Sequence, residues 1–128
     1  MKHFELEEFR CGNTVDGISL PCPHCGGQSP MKVDFLDMLD ACREYAGVPF
    51  VITSGYRCEK KNTLIGGVYN SAHTKGMAAD IRATDATTRY AIVEAAFKVG
   101  FTRIGVAKSF IHLDNDHTKP QELIWTYD

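Results

Sequence analysis

The chain has 128 residues, which is enough for one hydrophobic core and too little for two independent ones. Apolar residues make up 44% of the sequence, so a compact interior can be filled and extensive disorder is excluded. The 14 lysines and arginines are balanced by 16 aspartates and glutamates, which gives no electrostatic reason to expect a nucleic-acid partner. We therefore expect a single domain over residues 1–128 that binds no nucleic acid.

The first ten residues differ from a secretory signal peptide. They contain Glu5, Glu7 and Glu8, whereas a signal peptide needs an unbroken apolar stretch. No later stretch of the sequence has the roughly 20 apolar residues of a membrane-spanning helix. We therefore expect a chain that is synthesised in the cytoplasm without a signal peptide and has no membrane partner, and we expect a monomer.

Residues 11–30 hold three cysteines, three prolines and four glycines, a composition that excludes a long helix. The Cys-x-x-Cys spacing in this segment is typical of structural zinc sites, although unpaired cytoplasmic thiols explain it equally well. The candidate ligands of such a site are Cys11, Cys22, Cys25 and, as the fourth, Cys58 or His24. A thiol oxidoreductase is a third interpretation, but Gly26, Gly27 and Pro30 would break the helix that this chemistry requires after its second cysteine.

Two helices and several short strands are predicted after this segment. The first helix covers residues 30–45, with Ser29 as its N-cap and Gly47 after its end. The second helix begins after Asp85 and ends at Gly100. Apolar and β-branched runs predict strands at residues 49–53, 77–81, 102–106 and 110–114 and an edge strand at residues 122–127. Because helices and strands do not alternate regularly, an α+β fold is predicted.

Two histidines and an aspartate suggest a catalytic zinc site. Imidazole and carboxylate are normal zinc ligands, and a catalytic site keeps three of them so that water can take the fourth position. His73 falls in a glycine-rich loop before the strand that carries Asp80, and His112 falls on another strand. Positions 112 and 114 face the same side of that strand, so Asp114 would lie beside the metal. Taken singly, each of these residues is more often a loop histidine, a half-buried strand histidine or a surface charge.

Taken together, the motifs resemble the zinc peptidase family of D-Ala-D-Ala carboxypeptidases and L-alanyl-D-glutamate endopeptidases, which cut bacterial cell-wall peptides. The resemblance covers most of the chain, apart from the cysteine-rich segment. It rests on an ordered set of motifs: FELEEF at 4–9, ITSGYR at 52–57, Asn62, Gly66-Gly67, Ser71-x-His73-(x)6-Asp80, Gly105 and His112-x-Asp114.

This resemblance implies a hedgehog-like α+β domain with a small, mainly antiparallel sheet flanked by helices. It implies one catalytic Zn²⁺ held by His73, Asp80 and His112. It also implies that Arg57 stabilises the oxyanion of the scissile carbonyl, and that the substrate is contacted by Arg57, Tyr56 and Ser71. Two of these residues have simpler interpretations, because Arg57 is suited to a structural salt bridge and Ser71 to capping a turn.

The sequence departs from the family at one position. Many members carry an acidic residue three positions before the last zinc histidine as the general base, and Ser109 stands there in this chain. Asp114 is the nearest replacement, and short phage-type relatives share its His-x-Asp ending. We expect a catalytic role for it as the base, with orientation of the site as the alternative. It is also suited to capping a turn at the end of a strand. Ser109 therefore leaves open a non-catalytic domain that binds cell-wall peptides with zinc as a stabiliser.

The implied activity is zinc-dependent hydrolysis of a peptide bond in peptidoglycan stem peptides or crosslinks, of the endolysin or D-Ala-D-Ala carboxypeptidase type. Because no signal peptide is expected, action at the cell wall requires phage-type release or incorporation into a virion. The expected partner is therefore a peptidoglycan peptide, and the bond that is cut stays open.

Overall fold

The structure is a computed structural model that describes residues 1–15 and 18–127. Three α-helices are present in this part of the chain: α1 at Val33–Ala46, α2 at Glu59–Leu64 and α3 at Ala86–Val99. The strands are β1 at Gly12–Val15, β2 at Ile18–Pro21, β3 at Ile52–Ser54, β4 at Ala78–Arg82, β5 at Arg103–Val106, β6 at Phe110–Asp114 and β7 at Leu123–Thr126. Two short 3-10 helices lie at Leu6–Phe9 and Ala72–Lys75.

Five strands form one sheet in the order β3-β4-β6-β5-β7. All neighbours are antiparallel except β5 and β7, which run parallel at one edge. β1 and β2 form a separate antiparallel hairpin. The prediction of an α+β fold with a small, mainly antiparallel sheet is confirmed.

The two faces of the central strands have different roles. On β4 and β6, Ala79, Ile81, Ile111 and Leu113 are buried in the hydrophobic core. Helices α1 and α3 pack against each other and contribute their apolar faces to the same core. Because side chains alternate along a strand, the residues between these positions point to the opposite face of the sheet. That face carries Asp80, His112 and Asp114, the polar strand residues that were predicted at or beside the zinc site.

The helix ends follow from capping chemistry. Asp85 accepts a hydrogen bond from the Thr88 N–H at 2.7 Å, and Gly100 ends α3 with φ at 98°, so the predicted second helix is confirmed. The first helix begins three residues later than predicted, because Lys32 is extended and donates its N–H to the Gly76 carbonyl at 2.9 Å. None of the described helices has the length and apolar character of a membrane span.

Candidate metal centre

His73 is held by the 3-10 helix that precedes β4. The Ser71 hydroxyl caps this helix by accepting the His73 N–H at 3.2 Å, so Ser71 has the capping contact that was one of its two interpretations. On the imidazole, Nδ1 donates to the Gly55 carbonyl at 2.7 Å, because a carbonyl oxygen only accepts. This bond turns Nε2 towards Asp80, whose Oδ1 lies 3.3 Å away. His73 is only 2% exposed, so its orientation is set by the fold.

Asp80 and His112 face each other across two strands. They are direct partners in the antiparallel register of β4 and β6, which places their side chains side by side on one face of the sheet. Nδ1 of His112 lies 3.0 Å from Oδ1 of Asp80. The His112 ring also packs edge-on against the His73 ring, with 5.1 Å between their centroids. The register of the sheet therefore brings the three predicted zinc ligands together.

Asp114 lies behind His112. Its Oδ2 accepts a hydrogen bond from Nε2 of His112 at 2.7 Å, and its Oδ1 accepts from Arg103 Nε at 2.8 Å and from the Asp116 N–H at 3.1 Å. The carboxylate is 1% exposed, and both of its oxygens are occupied by these donors. Asp114 was given two possible roles, the general base or a residue that orients the site. These contacts favour the second role, in which it orients His112. The role of general base stays a prediction.

The protonation states at this site depend on burial and on hydrogen bonds. Burial raises the pKa of Asp80, but its hydrogen bond with His112 and its contact with His73 outweigh this effect and hold the pKa well below its usual range. Burial lowers the pKa of His73, which favours a neutral imidazole with a lone pair on Nε2. Burial also lowers the pKa of His112, but hydrogen bonds to Asp114 and Asp80 raise it by more. The site thus contains an anionic carboxylate beside two imidazoles.

The donor set fits a zinc ion. His73, Asp80 and His112 each offer one ligand atom, and these atoms all lie within 4.8 Å of one another. The other ring nitrogen of each histidine donates to an acceptor, which is the arrangement typical of metal-ligating histidines. Two nitrogens and one carboxylate oxygen make a three-ligand set of the catalytic type. These three side chains can therefore hold a metal ion together.

A cleft of about 500 Å³ opens over these residues. Arg57 lines it together with His73, Asp80 and His112, and its Nε is buried without a hydrogen-bond partner among the described residues. Burial lowers the pKa of this guanidinium, and the charge of Asp80 acts in the opposite direction. A buried donor without a partner is costly, so Arg57 is suited to an acceptor supplied by a ligand.

Tyr56 is placed differently from Arg57. Its ring packs against the buried cysteines on the other side of the chain, and the cleft is lined by Arg57 but not by Tyr56. The structure therefore places Tyr56 outside this cleft, and the substrate contact that the resemblance implied stays a prediction.

The cleft residues that were not singled out from the sequence include Arg103, Trp125 and Tyr127. The Trp125 ring lies 5.3 Å from the His112 ring, and the Arg103 guanidinium lies 5.0 Å from the Trp125 centroid. Trp125 reaches this position because β7 pairs with β5 and places it beside Gly105, where an added Cβ would lie 2.7 Å from the indole Nε1. Gly105 belongs to the family motif, but only the pairing of β5 with β7 shows that its missing side chain leaves room for the Trp125 indole.

The cysteines form a second cluster. Cys11, Cys22, Cys25 and Cys58 each place Sγ within 4.8 Å of the others. Of the two candidates for the fourth position, it is therefore Cys58 and not His24 that joins the other three.

Comparison with known proteins agrees with this geometry. The sequence model of the family described as Peptidase M15 matches residues 2–114. The chain belongs to this family. M15 peptidases are zinc-dependent, which accords with the set of His73, Asp80 and His112 in this M15 peptidase. No curated protein shows significant sequence similarity to the chain.

Proposed function

We propose that this M15 peptidase hydrolyses a peptide bond in the stem peptides or crosslinks of bacterial peptidoglycan. The observation that carries the proposal is the convergence of Asp80, His73 and His112 at an open cleft that Arg57 also lines. A cleft of about 500 Å³ is large enough for a few residues of a peptide. The family motifs connect this arrangement to enzymes that act on cell-wall peptides.

The metal has a defined place in this proposal. His73 through Nε2, His112 through Nδ1 and Asp80 through a carboxylate oxygen would hold the ion. When bound, zinc supplies Lewis-acid activation of water and of the scissile carbonyl. The carboxylate of Asp114 keeps His112 in the tautomer that leaves Nδ1 free for the metal. We therefore assign Asp114 to positioning the ligand.

Arg57 is the residue that we assign to the reacting carbonyl. Its backbone is anchored beside the histidine turn, because its N–H donates to the His73 carbonyl at 3.2 Å, and its side chain lines the cleft. A planar, permanently charged donor in a partly dry site stabilises negative charge that develops on a carbonyl oxygen. Ser71 also lines the cleft, and its carbonyl and hydroxyl hold the histidine turn.

We also propose where the activity takes place. The cell wall is the expected location, reached by phage-type release or as part of a virion. Cleavage of an interior bond would make the protein an endopeptidase of the endolysin type, and removal of a terminal D-alanine would make it a carboxypeptidase. The released products distinguish these two activities.

The test is digestion of purified peptidoglycan with the zinc-loaded protein, followed by mass spectrometry of the released peptides. We expect peptide release that stops in His73→Ala, with loss of one zinc ion per chain. His117→Ala is the matched control, because His117 is exposed, and we expect it to retain both release and zinc. Release that persists in His73→Ala would show that the assigned site is wrong.

A non-catalytic wall-binding domain is the second candidate. Ser109 supports it, because this exposed residue occupies the position where many relatives carry the base. The same digestion separates the two candidates. Zinc and peptide binding without any released product would establish the binding domain in place of the peptidase.

A further inference from the structure

Four cysteines from separate parts of the chain form a compact sulfur cluster away from the histidine site. Cys11 precedes β1, Cys22 and Cys25 follow β2, and Cys58 caps α2. Their Sγ atoms all lie within 4.8 Å of one another, and all four are free thiols. Cys11 and Cys22 are completely buried. Four cysteines in such an arrangement match the donor set of a structural, tetrahedral zinc site.

Backbone N–H groups surround these sulfurs. The Cys58 N–H donates to Cys11 Sγ at 3.4 Å, and the Lys61 N–H donates to Cys58 Sγ at 3.4 Å. Donors directed at sulfur favour the thiolate, which is the form that binds metal. The start of α2 is therefore suited to thiolate ligands at Cys11 and Cys58.

Strand β2 of the hairpin that carries these cysteines contributes little apolar packing. All of β2 is exposed, including Ile18 at 62% and Leu20 at 43%. The buried cluster beneath the hairpin consists of Cys11, Cys22 and Cys58, with Cys25 and Tyr56 packed against it. An isolated two-stranded hairpin is marginally stable in water, and small units without a core usually depend on a metal or on disulfides. The sulfur cluster is where a metal would supply the missing stability.

We propose that Cys11, Cys22, Cys25 and Cys58 bind a second zinc ion with a structural role. The ion connects the β1–β2 hairpin to the start of α2. Because Cys58 directly follows Arg57, it also fixes the segment that carries Arg57 into the cleft. The ion is separate from the one at His73, so the proposal does not depend on the proposed peptidase activity.

Thiol redox chemistry is the competing interpretation. Cys22 and Cys58 Sγ lie 3.9 Å apart, so these thiols are close enough for a disulfide to form after a modest movement. However, the next helix after Cys25 is α1, which begins at Val33. The Cys22–Cys25 pair therefore lacks the helix N-terminus that activates thiol oxidoreductases.

Cobalt substitution of the wild-type protein tests the proposal directly. The histidine site offers only nitrogen and oxygen ligands, so thiolate-to-cobalt charge-transfer absorption reports on the cysteine cluster alone. We expect this absorption, two zinc ions per chain in the native protein, and persistence of the absorption in His73→Ala. A folded protein with no thiolate absorption, or with a disulfide among these cysteines by mass spectrometry, would overturn the proposal.

Substitution of one ligand gives a second test. Cys25 is partly exposed, so Cys25→Ser perturbs packing least. We expect it to lower the zinc content from two ions to one, to abolish the thiolate absorption and to lower the thermal unfolding midpoint. Cys42→Ala is the control, since Cys42 is buried in the main core and we expect it to keep both ions. Two tightly bound ions in Cys25→Ser would refute the assignment. If this variant does not fold, the thiolate-to-cobalt absorption of the wild-type protein decides whether the cysteines bind metal.

Discussion

At the scale of single residues, the candidate zinc site is organised by the nitrogens that do not face the metal. His73 is oriented by the Gly55 carbonyl and His112 by Asp114. Sequence spacing and family motifs predict the three ligands, but they do not predict which ring nitrogen each histidine presents. That choice depends on acceptors from distant strands, which only the folded chain brings together.

Asp114→Asn tests the positioning role. The asparagine keeps the size of the side chain but loses the charge that pairs with Arg103 and favours the required His112 tautomer. We expect zinc affinity to fall about 10- to 100-fold, measured by competition with a chromogenic chelator. Exposed Asp37→Asn is the control and should leave the affinity unchanged. Unchanged zinc affinity with loss of hydrolysis would assign Asp114 to the base role instead.

Arg57→Gln tests the oxyanion role. We expect kcat for a stem peptide to fall about 100-fold or more, with zinc content unchanged, because a donor to the developing charge is lost. Arg57→Lys should restore only part of the rate, since an ammonium lacks the planar fork. The exposed Arg82→Gln is the control for charge alone. An unchanged kcat in Arg57→Gln would mean that the guanidinium has only a structural role.

At the scale of elements, the histidine turn depends on close approach of two segments. Gly76 ends this turn with φ at 71°, and an added Cβ would lie 2.1 Å from the Pro30 carbonyl oxygen. The same approach delays the start of α1, because Lys32 is extended and donates its N–H to the Gly76 carbonyl before the helix begins. The local sequence at Ser29 and Pro30 predicts a helix start, but tertiary packing overrides this preference.

Gly76→Ala tests this contact against a matched glycine. Gly66 has φ at 73° with no atom near an added Cβ, so Gly66→Ala should cost only about 1–2 kcal/mol of backbone strain. Gly76→Ala adds a backbone clash, and we expect its free energy of unfolding to fall by roughly 1–3 kcal/mol more. Urea unfolding of both variants gives the comparison. Equal losses would show that the approach to Pro30 is relaxed at little cost.

Helix α2 and the β1–β2 hairpin were not predicted from the sequence, for physical reasons. Helix α2 has six residues, too few for hydrophobic periodicity, and its N-cap is the sulfur of Cys58 rather than an ordinary oxygen. The β1–β2 hairpin lies in a segment rich in glycine, proline and cysteine, and the buried residues beside its ends are Cys11 and Cys22. By contrast, α3 was predicted from Asp85 and Gly100 because both of its ends are encoded locally.

At the scale of the whole molecule, a buried carboxylate joins the histidine turn to the loop after β6. Asp116 accepts from Lys75 Nζ at 2.9 Å and from the Thr118 hydroxyl at 2.7 Å. Burial raises the pKa of Asp116, but these hydrogen bonds outweigh it and hold the pKa below its usual range. The predicted fold class is confirmed at this scale, and the single-domain organisation stays a prediction.

Asp116→Asn tests this link through the pH dependence of stability. A carboxyl group whose pKa is lowered by folding stabilises the native state above its unfolded pKa of about 4, and this contribution is lost as the pH falls. We expect the variant to be less stable than the wild type by about 1–3 kcal/mol at pH 7. The difference should shrink below about pH 4 in urea unfolding. A difference that does not change with pH would contradict the ionic link.

The most direct test of the candidate zinc site is anomalous diffraction at the zinc edge from crystals grown with saturating zinc. We predict a peak bonded to Nε2 of His73, Nδ1 of His112 and a carboxylate oxygen of Asp80, with its open side towards Arg57 in the cleft. No peak among these three side chains would contradict the assignment of this M15 peptidase's catalytic centre.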